Sequence, residues 1–184
     1  MKQYIFLLLS ILLFSACTTT VRPKTEQQNN KQLYNLIINS SSKIDPKEAK
    51  IISNEAISYS RKLSKHYGAT TTPLFHNFLV NVGIKDRGLC YHWSDDLYLY
   101  LRKYNFKTIQ MQPVGAYIGS YWQEHNALVV LPIGSSDMNS GVLLDPWRDS
   151  GKLYFSSINS DPEYKWKIRE DRCIGIVPKL SLKR

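Results

Sequence analysis

Three short stretches of this chain carry side chains able to make and break an acyl bond. Gly88-Leu89-Cys90-Tyr91-His92-Trp93-Ser94 supplies a thiol. Glu124-His125-Asn126-Ala127-Leu128-Val129-Val130 supplies an imidazole at the head of an apolar run, and Val142-Leu143-Leu144-Asp145-Pro146-Trp147 supplies a carboxylate at the foot of another. A thiol beside an imidazole gives a nucleophile and the base that activates it. A carboxylate behind the imidazole fixes its tautomer and orientation. The three candidate catalytic residues, Cys90, His125 and Asp145, therefore point to attack on a carbonyl carbon.

Such a site needs elements that bring the three together. Asp45-Pro46-Lys47-Glu48 combines a capping Asp, a Pro at the first helical position and a Glu three residues after the cap. Ala49, Ile52, Ala56, Tyr59 and Leu63 then recur at helical spacing up to Gly68. Thr72-Pro73 opens a second helix with Leu74, Phe78 and Val82 on one face and Gly83 as its stop. A third begins near Gly88 and carries Leu89, Trp93, Leu97, Tyr100, Leu101 and Tyr104. That places Cys90 in a first helical turn, where free backbone amides and the helix dipole favour negative charge on sulfur. Beyond residue 105, Lys107 to Gln112, Gly115 to Trp122, His125 to Leu131, Val142 to Leu144 and Leu153 to Phe155 read as short strands, with Ile174 to Val177 as one more. Helices followed by antiparallel strands predict an α+β fold. Adjacent strands would set His125 and Asp145 side by side at one edge, across which the Cys90 helix packs.

On these motifs the chain resembles the transglutaminase-like superfamily of cysteine enzymes, including its bacterial cysteine proteinase branch. Gly88, Cys90, Trp93 and Ser94 match a Gly-x-Cys-x-x-aromatic-small helix start, His125-Asn126-Ala127-Leu128-Val129 a strand opening with His, and Asp145-Pro146-Trp147 a strand ending in Asp. The order Cys, His, Asp agrees over roughly residues 70 to 155. Polar Asn126, where many members carry Ala or Trp, is a departure, and so is the lack of the calcium-binding carboxylate clusters found in parts of the family. The resemblance implies a papain-like or transglutaminase-like fold, with the Cys-bearing helix on a small antiparallel sheet. It also implies a papain-like mechanism on an amide or peptide bond, with the Cys90 amide as first oxyanion donor and a side chain upstream, Asn77 or Asn81, as second. Both water and an amine fit as acyl acceptor, so hydrolase and transferase stay open. A protein or peptide substrate is favoured over peptidoglycan, because the Asp-Cys-Ser start and second His usual in cell-wall amidases are absent. No cofactor and no metal is called for.

Other residues have plainer readings. His92, two positions from Cys90 on a helix, points about 200° away from it and reads as exposed or structural. Cys90, His92 and His125 lack a further ligand for a metal. Asp95 and Asp96 read as a solvated face, and Trp93, Trp122 and Trp147 as core or cleft wall. Cys173 supports a rival: a Cys90–Cys173 disulfide would close a loop of roughly 80 residues, stabilise by about 4 kcal/mol, and make the chain a non-catalytic binding or structural lipoprotein of the envelope.

The N-terminus sets the compartment. Lys2 followed by the apolar run Tyr4 to Phe14 reads as a signal peptide, residues 1–16, too short to span a bilayer that needs about 20 residues. Leu13-Phe14-Ser15-Ala16-Cys17 resembles a lipobox, so Cys17 is the expected lipidation site. Thr18 in place of Asp after the Cys favours, by analogy with diderm lipoproteins, the periplasmic face of the outer membrane. Residues 17–32 read as a flexible lipidated tether, polar from Thr18 to about Asn30, and residues 33–184 as a single domain. The formal net charge of +9 is scattered, with a small cluster at Lys179, Lys183 and Arg184. It suits the vicinity of anionic lipid or cell-wall polymer, and no interleaving of basic and aromatic residues suggests nucleic acid. The expected partners are a membrane, through the lipid, and a protein or peptide substrate at the envelope.

Overall fold

The computed structural model describes residues 25–169 and 171. The signal peptide, Cys17, Cys173, the strand expected over Ile174 to Val177 and the C-terminal basic cluster lie outside them. The described residues form an α+β fold of four helices and one five-stranded antiparallel sheet.

The helices are α1 (Glu26–Ser40), α2 (Pro46–Tyr67), α3 (Pro73–Asn81) and α4 (Cys90–Leu101). The α1 helix falls where a tether was expected: residues 26–32 are helical, so folded structure begins before residue 33. Its start is fixed by a capping box, in which the Thr25 hydroxyl accepts from Gln28 N and the Gln28 side chain accepts from Thr25 N. Leu33 and Ile37 then bury its inner face. Helix α2 follows its signals closely. The Asp45 carboxylate accepts from Lys47 N and Glu48 N, Pro46 is its first residue, and Gly68 ends it at φ +59°. At its first turn, the Glu48 carboxylate also accepts from Lys107 N and Thr108 N, tying α2 to the start of the sheet.

The sheet runs in the order β4-β3-β2-β1-β5, with β1 (Ile109–Ala116), β2 (His125–Pro132), β3 (Val142–Asp145), β4 (Tyr154–Ser157) and β5 (Lys167–Ile168). Every residue of β2 is buried because both faces are covered. Leu128 and Val130 join the helix-side core with Leu33, Ile52, Trp93 and Leu97, whereas Ala127, Val129 and Leu131 meet Ile158 and Trp166 on the other side. No helix among the described residues is long and apolar enough to cross a membrane.

A second expectation is overturned. Residues 115–122 are not a separate strand: Gly115 and Ala116 end β1, and Tyr117 (φ +50°) and Gly119 (φ +88°) then turn the chain out of the sheet. Their apolar texture belongs to exposed rim residues, with Tyr121 and Trp122 each 84% exposed. In α3, Leu74, Phe78 and Val82 face solvent, while the helix turns His76 inward. The polar inner side is explained by what it meets: His76 Nε2 donates to Arg87 O at 2.9 Å, and Asn77 Oδ1 accepts from Trp147 Nε1 at 3.0 Å.

Leu97, fully buried on α4, packs in the helix-side core that holds α4 against the sheet. Leu97→Ala is expected to lower stability by about 2–5 kcal/mol, read from the urea midpoint at unchanged slope.

Candidate active site

Cys90 is the first residue of α4, and the loop before it is fixed at four points. His92 Nδ1 accepts from Gly88 N and Leu89 N, both at 3.2 Å, which satisfies two amides of the helix start. Trp93 Nε1 donates to Gly88 O at 2.8 Å, and His76 holds Arg87 O. His92 is thus structural, as its angular position suggested. Gly88 has φ +123°, and a Cβ there would lie 2.2 Å from His76 Nε2, so the motif glycine is required both by backbone conformation and by the imidazole beside it. Asp96 departs from the solvated reading: it accepts from Tyr67 Oη and pairs with Arg87 at 3.0 Å, bracing the same loop from α2.

β2 and β3 are neighbours, with Leu128 opposite Leu144, so His125 and Asp145 reach the same end of the sheet. His125 Nε2 donates to Asp145 Oδ2 at 2.7 Å, with the two residues 2% and 0% exposed. The other carboxylate oxygen, Oδ1, accepts from Trp147 N and Arg148 N, both at 3.2 Å, while Arg148 Nε donates to Oδ2 at 3.0 Å. Asp145 therefore does two jobs at once: one oxygen shapes the Asp-Pro turn and the other holds the imidazole. Four donors saturate it.

Cys90 meets the end of β2 at the residues that flank His125. Its Sγ lies 3.6 Å from Glu124 O and 3.6 Å from Asn126 Nδ2. His125 Nδ1 is buried and has no hydrogen-bond partner in the resting arrangement, yet the imidazole interacts with the Cys90 side chain. Such contacts are commonly loose before substrate binds. The structure thus brings Cys90, His125 and Asp145 together in the expected order. Cys90 is a free, buried cysteine; Cys173, its partner in the disulfide reading, lies outside the described residues.

Burial disfavours the charged imidazole. The Asp145 charge and hydrogen bond outweigh it, Cys90 adds to them, and His125 is raised from 6.5 to about 9. Burial likewise pushes Asp145 up, but His125 and Arg148 hold it below the usual carboxylate range.

Arg148, Asp161, Tyr164 and Trp166 support this arrangement and carry no sequence signal of their own. Arg148 forks onto both oxygens of buried Asp161, at 3.0 and 2.7 Å, and lies over the Tyr154 ring at 3.8 Å. Asp161 also accepts from Trp166 Nε1 at 2.8 Å. Trp147, Tyr164 and Trp166 surround His125 with ring centroids 4.7, 4.7 and 5.3 Å away. One protein segment after β4 thus supplies both the second carboxylate and the aromatic cover that keeps water from the pair.

A cavity of about 250 Å³ opens over the sulfur, and its walls include Leu74, Asn77, Tyr117, Trp122 and Trp147. Of the two asparagines considered from sequence, Asn77 lines this cavity and Asn81 does not. Trp147 occupies the Asn77 carbonyl oxygen, which leaves its NH2 group as the free donor. A larger groove of about 660 Å³ between α1 and α2 lies away from these residues. Among the described residues no group of three or more His, Cys, Asp or Glu side chains could hold a metal ion.

The chain matches no protein-family model, no curated protein and no solved structure.

Two outcomes follow from the geometry. Because the folded-state value of His125 lies above its unfolded 6.5, its contribution to stability is complete below that pH and is lost as pH rises through about 9. The thermal midpoint of the wild type is expected to fall across that window, and that of His125→Gln to change far less. Gly88→Ala, which forces a Cβ onto His76, is expected to cost about 1–3 kcal/mol and to slow iodoacetamide alkylation of Cys90 measured by peptide mass spectrometry.

Proposed function

We propose that this protein is a papain-like or transglutaminase-like cysteine-nucleophile enzyme that cleaves or transfers an amide or peptide acyl group. The observation that carries the reading is a buried imidazole bound to a saturated carboxylate through one nitrogen, its other nitrogen unpartnered and the imidazole in contact with a thiol at a cavity floor. A histidine whose only task was to end a strand would not need so costly a setting.

In the proposed mechanism Cys90 and His125 rest as a thiolate–imidazolium pair, with the Cys90 proton held on His125 Nδ1, and the sulfur attacks the substrate carbonyl. The oxyanion faces the Cys90 backbone N–H, with the Asn77 NH2 group as the second donor. Asp145 keeps Nε2 protonated and the ring oriented, so that the proton on Nδ1 can be delivered to the leaving amine. A thioester on Cys90 results, and His125 then takes a proton from water or from an acceptor amine as that group attacks the thioester. Water gives hydrolysis and an amine gives transfer. The aromatic and aliphatic walls suit a peptide with apolar residues beside the scissile amide.

The same proposal places the enzyme at the cell envelope. The apolar run Tyr4 to Phe14 and the lipobox-like Leu13 to Cys17 support export and lipidation at Cys17, with the outer membrane's periplasmic face as destination. The helix starting at Glu26 leaves only eight residues between it and Cys17, which holds the domain within about 30 Å of the lipid surface.

Cys90→Ala is expected to abolish cleavage of an apolar fluorogenic peptide library, and His125→Ala to lower it by about 10³-fold or more. Asp145→Asn should move the alkaline limb of the rate profile from near pH 9 to lower pH, since the carboxylate is what raises His125. No cleavage by the wild type, or cleavage that persists unchanged in all three variants, would leave a non-catalytic binding protein as the surviving reading.

A further inference from the structure

Asn126, the polar residue that follows the imidazole, has no part in the pairing of Cys90, His125 and Asp145. Its amide is nevertheless aimed at the nucleophile. Asn126 Nδ2 lies 3.6 Å from Cys90 Sγ, in a residue only 4% exposed. The orientation of that amide is decided by its neighbour. Arg169 Nη1 lies 3.4 Å from Asn126 Oδ1, and a guanidinium has only N–H groups to offer, so it must meet the carbonyl oxygen. The NH2 group is therefore the end that faces the sulfur.

Arg169 is itself held firmly. Nη1 donates to Glu124 Oε1 at 2.6 Å, while Nε and Nη2 donate to the two oxygens of Asp171 at 2.8 and 2.7 Å. Its backbone N–H donates to Pro113 O at 2.9 Å, which anchors it beside β1. Room for its stem comes from Gly115, which stands directly opposite Asn126 in the β1–β2 register. A Cβ at Gly115 would lie 2.9 Å from Arg169 Cδ and 3.0 Å from Cγ. A glycine of β1, an asparagine of β2 and an arginine directly after β5 thus converge on one donor to the sulfur.

The neighbours of Sγ divide by protonation state. A neutral thiol can donate to Glu124 O, at 3.6 Å. Once its proton has moved to His125, the sulfur can only accept, and that carbonyl offers it nothing. The Asn126 N–H then becomes the matching partner.

We propose that Asn126 is a further catalytic residue whose amide donates to the Cys90 thiolate, and that Arg169 is a positioning residue which locks the amide in the donating orientation. This rests on the reading of Cys90 as a nucleophile. The donor is in place before the charge forms, so nothing has to reorganise, and a hydrogen bond to an ionised acceptor is roughly twice as strong as one between neutral groups.

The test is the rate of Cys90 alkylation by iodoacetamide from about pH 5 to about pH 10, quantified on the Cys90 peptide of the full chain. Wild type, Asn126→Leu, Arg169→Met and His125→Ala are compared, each with its thermal midpoint. Asn126→Leu is expected to be about threefold to tenfold slower at neutral pH, with its profile displaced to higher pH and its rate converging on wild type at the alkaline end. Arg169→Met should displace the profile the same way by less. A purely structural role would lower the thermal midpoint without that convergence. Profiles of both variants that superimpose on wild type, while His125→Ala still displaces its own, would overturn the proposal alone. Superposition of all three would overturn the nucleophile reading with it. If Asn126→Leu does not fold, Arg169→Met decides by the same criterion.

Discussion

One end of this sheet is organised around a carboxylate taken entirely out of water. Asp145 is fully buried beside His125, and removing one partner of such a pair strands the other's charge at a cost of about 3–5 kcal/mol. Burial is tolerable only because every lone-pair direction is met: two backbone amides of the turn, the imidazole and the Arg148 guanidinium. Arg148 must in turn be balanced, and buried Asp161 does so through a forked contact. The result is a chain of alternating charges, His125, Asp145, Arg148 and Asp161, roofed by Tyr164 and Trp166. The same chain that stabilises the fold there also fixes the imidazole toward Cys90.

The Cys90 thiol is placed by a different device. Helix α4 begins at Cys90, and its approach is pinned by His76, His92 and Trp93 before any contact with the sheet is made. The aliphatic core around Leu97 and Leu128 then sets α4 on β2. The first turn of α4 meets the end of β2, which sets the thiol beside the imidazole. The cavity above them is bordered by α3 and the β1–β2 turn, both of which present apolar side chains to solvent.

Elements with local signals were legible in the sequence. Asp45, Pro46 and Gly68 bound α2 through their own backbone preferences, and the continuous apolar run from Ala127 marks a strand covered on both faces. The Cys, His and Asp were legible because each stands at the end of such an element, where geometry alone limits where it can go. Helix α1 was hidden by its polar composition, although Thr25 and Gln28 are a capping box that could have revealed it. The inward face of α3 was unreadable because it is polar, serving hydrogen bonds to Arg87 and Trp147 that arise only in the tertiary fold. The contacts of Arg148, Asp161, Asn126 and Arg169 were hidden for the same reason: their partners lie on other segments, and no periodicity records them.

The central claim is that the buried Asp145 holds His125 as an imidazolium facing Cys90 at neutral pH. Nuclear magnetic resonance titration of the His125 ring nitrogens in the intact protein tests it most directly. The account predicts that both nitrogens stay protonated through neutrality and that the ring titrates near pH 9. A ring that titrates at or below 6.5, or a neutral ring with its proton on Nδ1 rather than on the nitrogen facing Asp145, would contradict it.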